Sequence, residues 1–296
     1  MKLLLIFTPH AAAGRAARLF EPLSSCLEKF AGIDVCSTSG PGDATKQVAE
    51  TELAGYDGVL AAGGDGTLFE VLNGLYARPP GDRPPLGVIP VGTGNAFARD
   101  LGLSPGDWKK GVDLVAGRRT RRFDVGRVVS PQGSYHYLNI VGAGLPVDVM
   151  RSSLHLKALG RASYSVTSLL KALQMRCYPL KITADGKVIE GEFLFIEVSN
   201  TRYTGTSFLI APAAEPDDGL LDLVLVGRLP RLRVLRLFPS VFKGRHVDFD
   251  EVETLQAREV RIESERELML APDGELRGVT PVTITCLHRD LDVFAP

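Results

Sequence analysis

Gly58-Val59-Leu60-Ala61-Ala62-Gly63-Gly64-Asp65-Gly66-Thr67 is the stretch that decides how this chain folds. A short apolar run fit for a buried strand passes straight into glycines, which let the backbone turn sharply and leave room for a ligand. Helical spacing then begins, over residues 67–76. Leu86-Gly87-Val88-Ile89-Pro90-Val91-Gly92-Thr93-Gly94-Asn95 repeats the pattern, with a helix starting near Asn95. A strand that turns at once into a helix, twice over, belongs to a βαβ series.

Working outward, residues 2–7 read as a buried strand and 33–37 as a second. Residues 13–31 carry helical spacing in Ala17, Leu19, Phe20, Leu23, Leu27 and Phe30. Residues 43–53 read as a helix opening on Gly42-Asp43. This alternation predicts a mostly parallel sheet with helices on both faces. Past residues 118–129 the pattern changes. Strands are predicted at 127–129, 136–141, 180–184, 192–199, 220–226, 259–263, 268–270 and 282–287, with helices at 163–173 and 231–242. Asp185-Gly186, Asp218-Gly219 and Asp273-Gly274 mark turns. The chain thus divides into an α/β domain, 1–125, and a β-rich domain, 126–296, whose last ten or so residues could return to the first.

Composition narrows the function. Of 296 residues 45% are hydrophobic and 23% charged, and the net charge is −1. That is a globular balance with no overall basic field, so nucleic acid is not an expected partner. Cys26, Cys36, Cys177 and Cys286 have no CxxC spacing, which excludes a zinc or redox motif and points to reduced, mostly buried thiols in a cytosolic protein. The apolar run at residues 3–7 is too short for a signal peptide. No run approaches the ~18 apolar residues of a membrane span.

The glycine turns carry the chemistry. A helix N-terminus presents free N–H groups to phosphate. Asp65 among those glycines implies a cation or a hydroxyl to grip, or else a cap within a tight turn. Thr93 and Asn95 add hydrogen-bonding side chains at the second turn. Both turns would share the sheet edge beyond the strands' carboxyl ends, where open α/β sheets bind ligands. There is no GxxxxGK[ST], and GTGNAFA lacks the last glycine of a dinucleotide fingerprint. Thr8-Pro9-His10, with Gly14, forms a third candidate turn; His10 could be a ligand, a base or a solvated loop residue. Asp273-Gly274-Glu275 is either a plain β-turn or an acidic site.

Taken in order, GGDGT, then P-x-G-T-x-N, then D-G-x-x-D, then D-G-E, the chain resembles the diacylglycerol kinase catalytic family from Leu3 to about Leu287. That family includes bacterial soluble lipid kinases and the sphingosine and ceramide kinases. GGDGT alone is shared with NAD kinases and, more loosely, phosphofructokinases. The resemblance implies a three-layer α/β nucleotide-binding domain of NAD-kinase and phosphofructokinase type, followed by a β-sandwich lipid-substrate domain. It implies ATP in the cleft between them, lined by Gly63, Gly64, Asp65, Gly66 and Thr67, with Thr93 and Asn95 nearby. Thr8, Pro9, His10 and Gly14 would match the family's N-P-x-x-G loop, and Thr38 a further nucleotide contact. Asp273 would be the general base, with Glu275 as partner and second choice. Asp65 would hold catalytic Mg²⁺. Glu215, Asp218 and the Leu220 carbonyl would match a structural magnesium site, in A-x-x-x-D-G-x-L.

The expected reaction moves the γ-phosphoryl group of ATP to a lipid hydroxyl: diacylglycerol giving phosphatidic acid, otherwise ceramide or sphingosine. The base is expected to be a water-accessible carboxylate of ordinary pKa, ionised at pH 7. Two departures stand out. Thr8-Pro9 replaces the usual Asn-Pro, and Leu138-Asn139-Ile140-Val141-Gly142 replaces a phenylalanine-rich segment. An NAD kinase, the first alternative, would show Asn-Glu where this chain has Asn95-Ala96. A non-catalytic nucleotide or lipid sensor, the second, would not need Asp273 and Glu275.

A lipid substrate would be met at the membrane surface by a cytoplasmic enzyme that binds transiently. Residues 228–245, RLPRLRVLRLFPSVFKGR, are basic and apolar without an acid. Leu232, Leu235, Val241 and Phe242 would share a face, flanked by Arg231, Arg233 and Arg236, as an interfacial helix or as a core helix with a basic rim. Pro239 interrupts that pattern. Arg118-Arg119-Thr120-Arg121-Arg122 is a second basic run, read as a solvated loop or a phosphate contact. Exposed strands of the β-rich domain would suit a homodimer.

Overall fold

The computed structural model describes residues 1–153, 162–174, 176–205 and 207–296. They form two compact units: Met1–Phe123 with Arg289–Pro296, and Asp124–His288.

The first unit runs β1 (Lys2–Phe7), α1 (Phe20–Leu27), β2 (Gly32–Ser37), α2 (Asp43–Glu50), β3 (Gly58–Gly63), α3 (Asp65–Tyr76), β4 (Leu86–Pro90), α4 (Ala96–Asp100) and α5 (Trp108–Ala116). Strand β1 pairs in parallel with β2 and β3, and β3 with β4, so the order is β2-β1-β3-β4. Strands β1, β3 and β4 are buried along nearly their whole length, as a sheet covered on both faces requires. Leu3, Leu5 and Phe7 pack with Leu23 and Leu27 of α1 and Val112 and Val115 of α5. The alternate residues Leu4 and Ile6 are equally buried on the opposite face. On α3, Gly74 lets α2 approach: a Cβ there would lie 2.6 Å from Val48. These are the expected three layers.

The second unit continues with β5 (Thr120–Ser130), which begins in the first, then β6 (Gly133–Tyr137), β7 (Ile140–Gly144), α6 (Leu145–Ser153), α7 (Ala162–Leu173), β8 (Tyr178–Ala184) and β9 (Lys187–Ser199). There follow β10 (Tyr203–Thr204), β11 (Phe208–Leu209), β12 (Leu221–Gly227), α8 (Arg231–Val241), β13 (Val252–Ala257), β14 (Glu259–Glu263), β15 (Leu270–Pro272) and β16 (Val282–Phe294). Its pairings are antiparallel. The long β9 pairs with β8 through its first half and with β7 and β12 through its second. One core gathers Phe195, Phe208, Val224 and Val226 against Val234, Leu237 and Val241 of α8.

Several expected boundaries move. The predicted strand 136–141 is two strands broken at Leu138-Asn139, because the N–H groups there are bound by a carboxylate. The helix at 13–31 is a 3₁₀ turn over Arg15–Leu19 followed by α1. The final strand continues past Leu287 to Phe294, and Val293 pairs in parallel with Leu86 of β4. Phe294 fills space left by Gly58, where a Cβ would lie 2.6 Å from its ring. The four cysteines are unpaired and half-buried rather than mostly buried.

Candidate active site

In the first unit the two glycine turns touch backbone to backbone. The Gly92 N–H donates to the Gly63 carbonyl at 2.8 Å. A Cβ on Gly92 would lie 2.4 Å from Gly64 Cα, and one on Gly63 would lie 2.1 Å from Thr67 Oγ1. Real Cβ atoms do not come so close, so the glycines are required by packing as well as by turning. Asp65 ties the turns together: its Oδ1 accepts the Ala96 N–H at 2.7 Å, and its Oδ2 lies 2.7 Å from where Gly94 would carry a Cβ. Asn95 is buried and donates from Nδ2 to the Gly92 carbonyl at 2.9 Å. Thr93 is half-buried between them.

Three of the expected threonines meet. Thr67 Oγ1 donates to Thr8 Oγ1 at 2.9 Å, and Thr38 Oγ1 donates to the same oxygen at 3.1 Å. The ends of β1, β2 and β3 are thereby joined at one edge. Helix α3 starts there with Gly64 as N-cap and no side-chain cap, leaving Asp65, Gly66 and Thr67 in its first turn. Helix α2 differs: Glu70 of α3 accepts its Gly42 and Ala44 N–H groups at 2.7 and 3.0 Å. The first loop holds Pro9 half-buried and His10 exposed. It closes with the Gly14 N–H on the His10 carbonyl at 3.1 Å, and Gly14 takes φ +82°.

In the second unit Asp273-Gly274 forms a tight turn, φ +42° and +86°, closed by the Glu275 N–H on the Pro272 carbonyl at 2.7 Å. The turn is more than a hairpin tip. Strand β15 pairs with β7, and the Asp273 carboxylate reaches over to accept the N–H groups of Leu138, Asn139 and Ile140, each at 2.9 Å. The expectation of a water-accessible carboxylate of ordinary pKa is thus corrected. Asp273 is 3% exposed, and burial pushes its pKa up to about 6 against the three N–H bonds that pull it down. Glu275 is exposed.

Glu215, Asp218 and Leu220 lie together in the loop before β12, Glu215 and Asp218 exposed. Asp218 Oδ1 accepts the Leu220 N–H at 2.9 Å. Asp222 stands behind them. Burial, then the charges of Asp218 and Glu215, pushes its pKa up to about 6, and its Oδ2 has no hydrogen-bond partner. Among the described residues no three His, Cys, Asp or Glu side chains converge on a point. Two carboxylates and a carbonyl suit Mg²⁺, which keeps several waters. The mutual repulsion of Asp222, Asp218 and Glu215, only partly offset by Gln256 Nε2 donating to Asp222 Oδ1 at 3.3 Å, fits a cation in this loop. Wild-type melting temperature should rise by about 5 °C or more in saturating Mg²⁺, and Asp218→Ala should abolish the rise. Identical melting curves with and without Mg²⁺ in the wild type would remove the metal from this loop.

Sequence reading missed the residues that hold these parts in place. Asp124, fully buried, accepts the Gly219 N–H at 2.6 Å and pairs with His288 Nδ1 at 3.0 Å, which anchors the Glu215–Leu220 loop. An acid just after the arginine run was its only signal. Glu197, 5% exposed, lines a cavity beside α8, and burial alone pushes its pKa up to about 8. An acid inside the apolar run Phe193–Val198 was the visible hint.

Comparison with known proteins completes the assignment. Residues 2–128 match the diacylglycerol kinase catalytic domain, and residues 139–295 match the YegS C-terminal NAD kinase beta sandwich-like domain. The diacylglycerol kinase of Bacillus subtilis (strain 168) is 34% identical over 93% of this chain and 90% of its own length. That of Mycobacterium tuberculosis (strain H37Rv) is 33% identical over 97% and 90%. A crystal structure of a diacylglycerol kinase from Bacillus anthracis str. Sterne superposes with a TM-score of 0.81 at 28% identity, covering 100% of this chain and 97% of that one. The ordered turns, the β-rich second unit and these full-length likenesses agree, and the chain belongs to the diacylglycerol kinase family of lipid kinases.

Proposed function

We propose that this lipid kinase transfers the γ-phosphoryl group of ATP to the free hydroxyl of diacylglycerol, giving phosphatidic acid. The observation that carries the donor half is the joined edge of the first unit: two glycine turns in backbone contact, an uncapped α3 N-terminus and three linked threonine hydroxyls. Backbone N–H groups held this way bind polyphosphate without reorganisation. Asp65 supplies the acid at that edge. Mg²⁺, when bound with the nucleotide, neutralises charge on the transferred group.

The acceptor half lies in the second unit. Both Asp273 oxygens are engaged by backbone N–H groups, so Asp273 shapes the turn. Glu275, exposed two residues on, is the better base for the acceptor hydroxyl. The cavity beside α8 receives the acyl chains. It is a narrow slot of about 60 Å³ that opens to solvent, and is lined by Leu145, Phe195, Phe208, Val234, Leu237 and Phe238 among others. An apolar cavity with few polar groups suits a lipid tail and not NAD.

Helix α8 relates this cavity to a membrane. Val234, Leu237 and Val241 face inward, which corrects the expected placing of Val241 on the outer face. Leu232 is 78% exposed and Leu235 49%, beside the exposed Arg231 and Arg236. Arg233 is held by Glu251 at 2.8 Å and takes no part in that surface. The outer face therefore docks on anionic lipid. No helix among the described residues is long and apolar enough to cross the bilayer. Leu232→Glu with Leu235→Glu should weaken sedimentation with anionic vesicles by about 10-fold or more, while turnover of a short-chain soluble acceptor holds. Unchanged vesicle binding would remove α8 from the membrane contact.

The direct test is transfer of radiolabelled γ-phosphate from Mg²⁺-ATP to lipid alcohols in mixed micelles, with NAD as a separate acceptor. Label in diacylglycerol supports the reading. Label in another lipid alone changes the acceptor, and label in NAD alone overturns it.

A further inference from the structure

Glu197 is hard to explain as structure. It sits in β9 between Ile196 and Val198, is 5% exposed, and its Oε2 has no hydrogen-bond partner. A buried carboxyl without partners costs stability that an apolar residue of similar volume would not. The side chain lines the apolar cavity beside α8, where, among the described residues, Ser168 and Thr204 are the hydroxyl-bearing ones on the wall. Burial alone raises its pKa to about 8, with no charged neighbour contributing. At pH 7 it therefore carries its proton and is both donor and acceptor.

Its position is set by register. Glu197 pairs with Gly142 of β7, and Gly142 pairs with Ala271 of β15, the strand that runs directly into the Asp273-Gly274-Glu275 turn. Two strand spacings put Glu197 about 10 Å across the sheet from that strand. Gly142 keeps the intervening space narrow but open: a Cβ there would meet Pro146 at 2.9 Å and Glu197 Cγ at 3.7 Å. A glycerolipid with its hydroxyl at Glu275 and its chains in the cavity carries its acyl linkages in this region, since linkage and hydroxyl are only a few bonds apart.

Resting on the acceptor reading above, we propose that Glu197 is a specificity-determining residue that donates a hydrogen bond from its carboxyl to an acyl-linkage carbonyl oxygen of the bound lipid. A neutral donor in an apolar wall selects a neutral carbonyl. It rejects a lipid that has the same chains and hydroxyl but no carbonyl, because the carboxyl then stays unpartnered. Esters and amides share this carbonyl.

The test compares a 1,2-diacylglycerol with the 1,2-dialkylglycerol of equal chain length, in mixed micelles with Mg²⁺-ATP, for wild type, Glu197→Leu and Glu197→Gln. Wild type should favour the ester over the ether by about 10-fold or more in kcat/KM, chiefly through KM. Glu197→Leu should bring the two lipids within about twofold, by losing activity on the ester and keeping it on the ether. Glu197→Gln, whose amide still donates, should restore part of the preference. Glu197→Leu should also melt about 2 to 10 °C higher, since a lone buried carboxyl is gone. That separates loss of recognition from loss of fold. A ceramide run alongside tells whether amide or ester gives the lower KM. Equal use of ester and ether by the wild type, or an undiminished ester preference in Glu197→Leu, overturns the proposal and leaves the kinase reading intact. Preference for a long-chain amine that depends on Glu197 also overturns it, since an ion pair would then be the contact. Transfer to none of these lipids overturns the acceptor reading and the proposal with it.

Discussion

Asp65→Asn is expected to lower kcat by about two or more powers of ten, with melting temperature close to that of the wild type. The substitution separates the structural bond this carboxylate makes from the cation-binding role proposed for it. Oδ1 of Asp65 accepts the Ala96 N–H at 2.7 Å and so holds the second glycine turn against the first. An asparagine oxygen accepts the same bond at the same length, so the turns keep their packing. What disappears is the negative charge at the edge proposed to bind the nucleotide phosphates with a divalent cation. Asp65→Ala removes both functions and should also reduce stability, because the Ala96 N–H loses its acceptor. The measurement is steady-state kinetics at saturating Mg²⁺-ATP beside a melting curve. Near-wild-type turnover in Asp65→Asn would leave Asp65 as a structural clamp alone.

Glu275→Gln should cost a similar factor in kcat, about two to four powers of ten, again without a change in melting temperature. Glu275 is exposed, and glutamine keeps its size and shape. Asp273→Ala should behave differently and lower the melting temperature first. Its carboxylate satisfies three backbone N–H groups, at Leu138, Asn139 and Ile140. Leaving buried donors unpaired costs about 1–3 kcal/mol each, not additively. Activity measured on the folded fraction then tells base from buttress. A folded Asp273→Asn that has lost turnover, beside an active Glu275→Gln, would return the base to Asp273.

The glycine turns were legible because their demand is local. Gly63, Gly64 and Gly92 must be glycine for any strand to turn into a helix there at close quarters, and that requirement is written in residue type. The parallel sheet was legible for a similar reason: near-continuous apolar runs at Leu3–Phe7 and Val59–Ala62 suit only strands covered on both faces. Thr8 and Thr38 stand just past two strand ends and Thr67 in the first turn of the helix after a third, and their convergence follows from the parallel order once that order is assumed.

The second unit was less legible. Residues 136–141 read as one strand, yet the chain breaks at Leu138-Asn139 to present its N–H groups to Asp273, more than a hundred residues away. No local pattern announces such a bond. Arg231–Val241 looked like a single amphipathic face, but Val241 turns inward, because the core beside β12 takes the Val234, Leu237 and Val241 side of the helix.

By itself, then, the sequence determined the strand-to-helix turns, the two-part architecture and the family, because these depend on residue type, spacing and order along the chain. Only the tertiary structure decided the exposure of each acid. Asp273 is buried among backbone donors, Glu275 lies open, and Glu197 is enclosed by apolar side chains. The three are the same carboxyl chemistry in the sequence. Their surroundings diverge because apolar walls and hydrogen-bond donors act through space, and those neighbours come from strands far apart in the chain; burial accordingly raises the pKa of both Asp273 and Glu197.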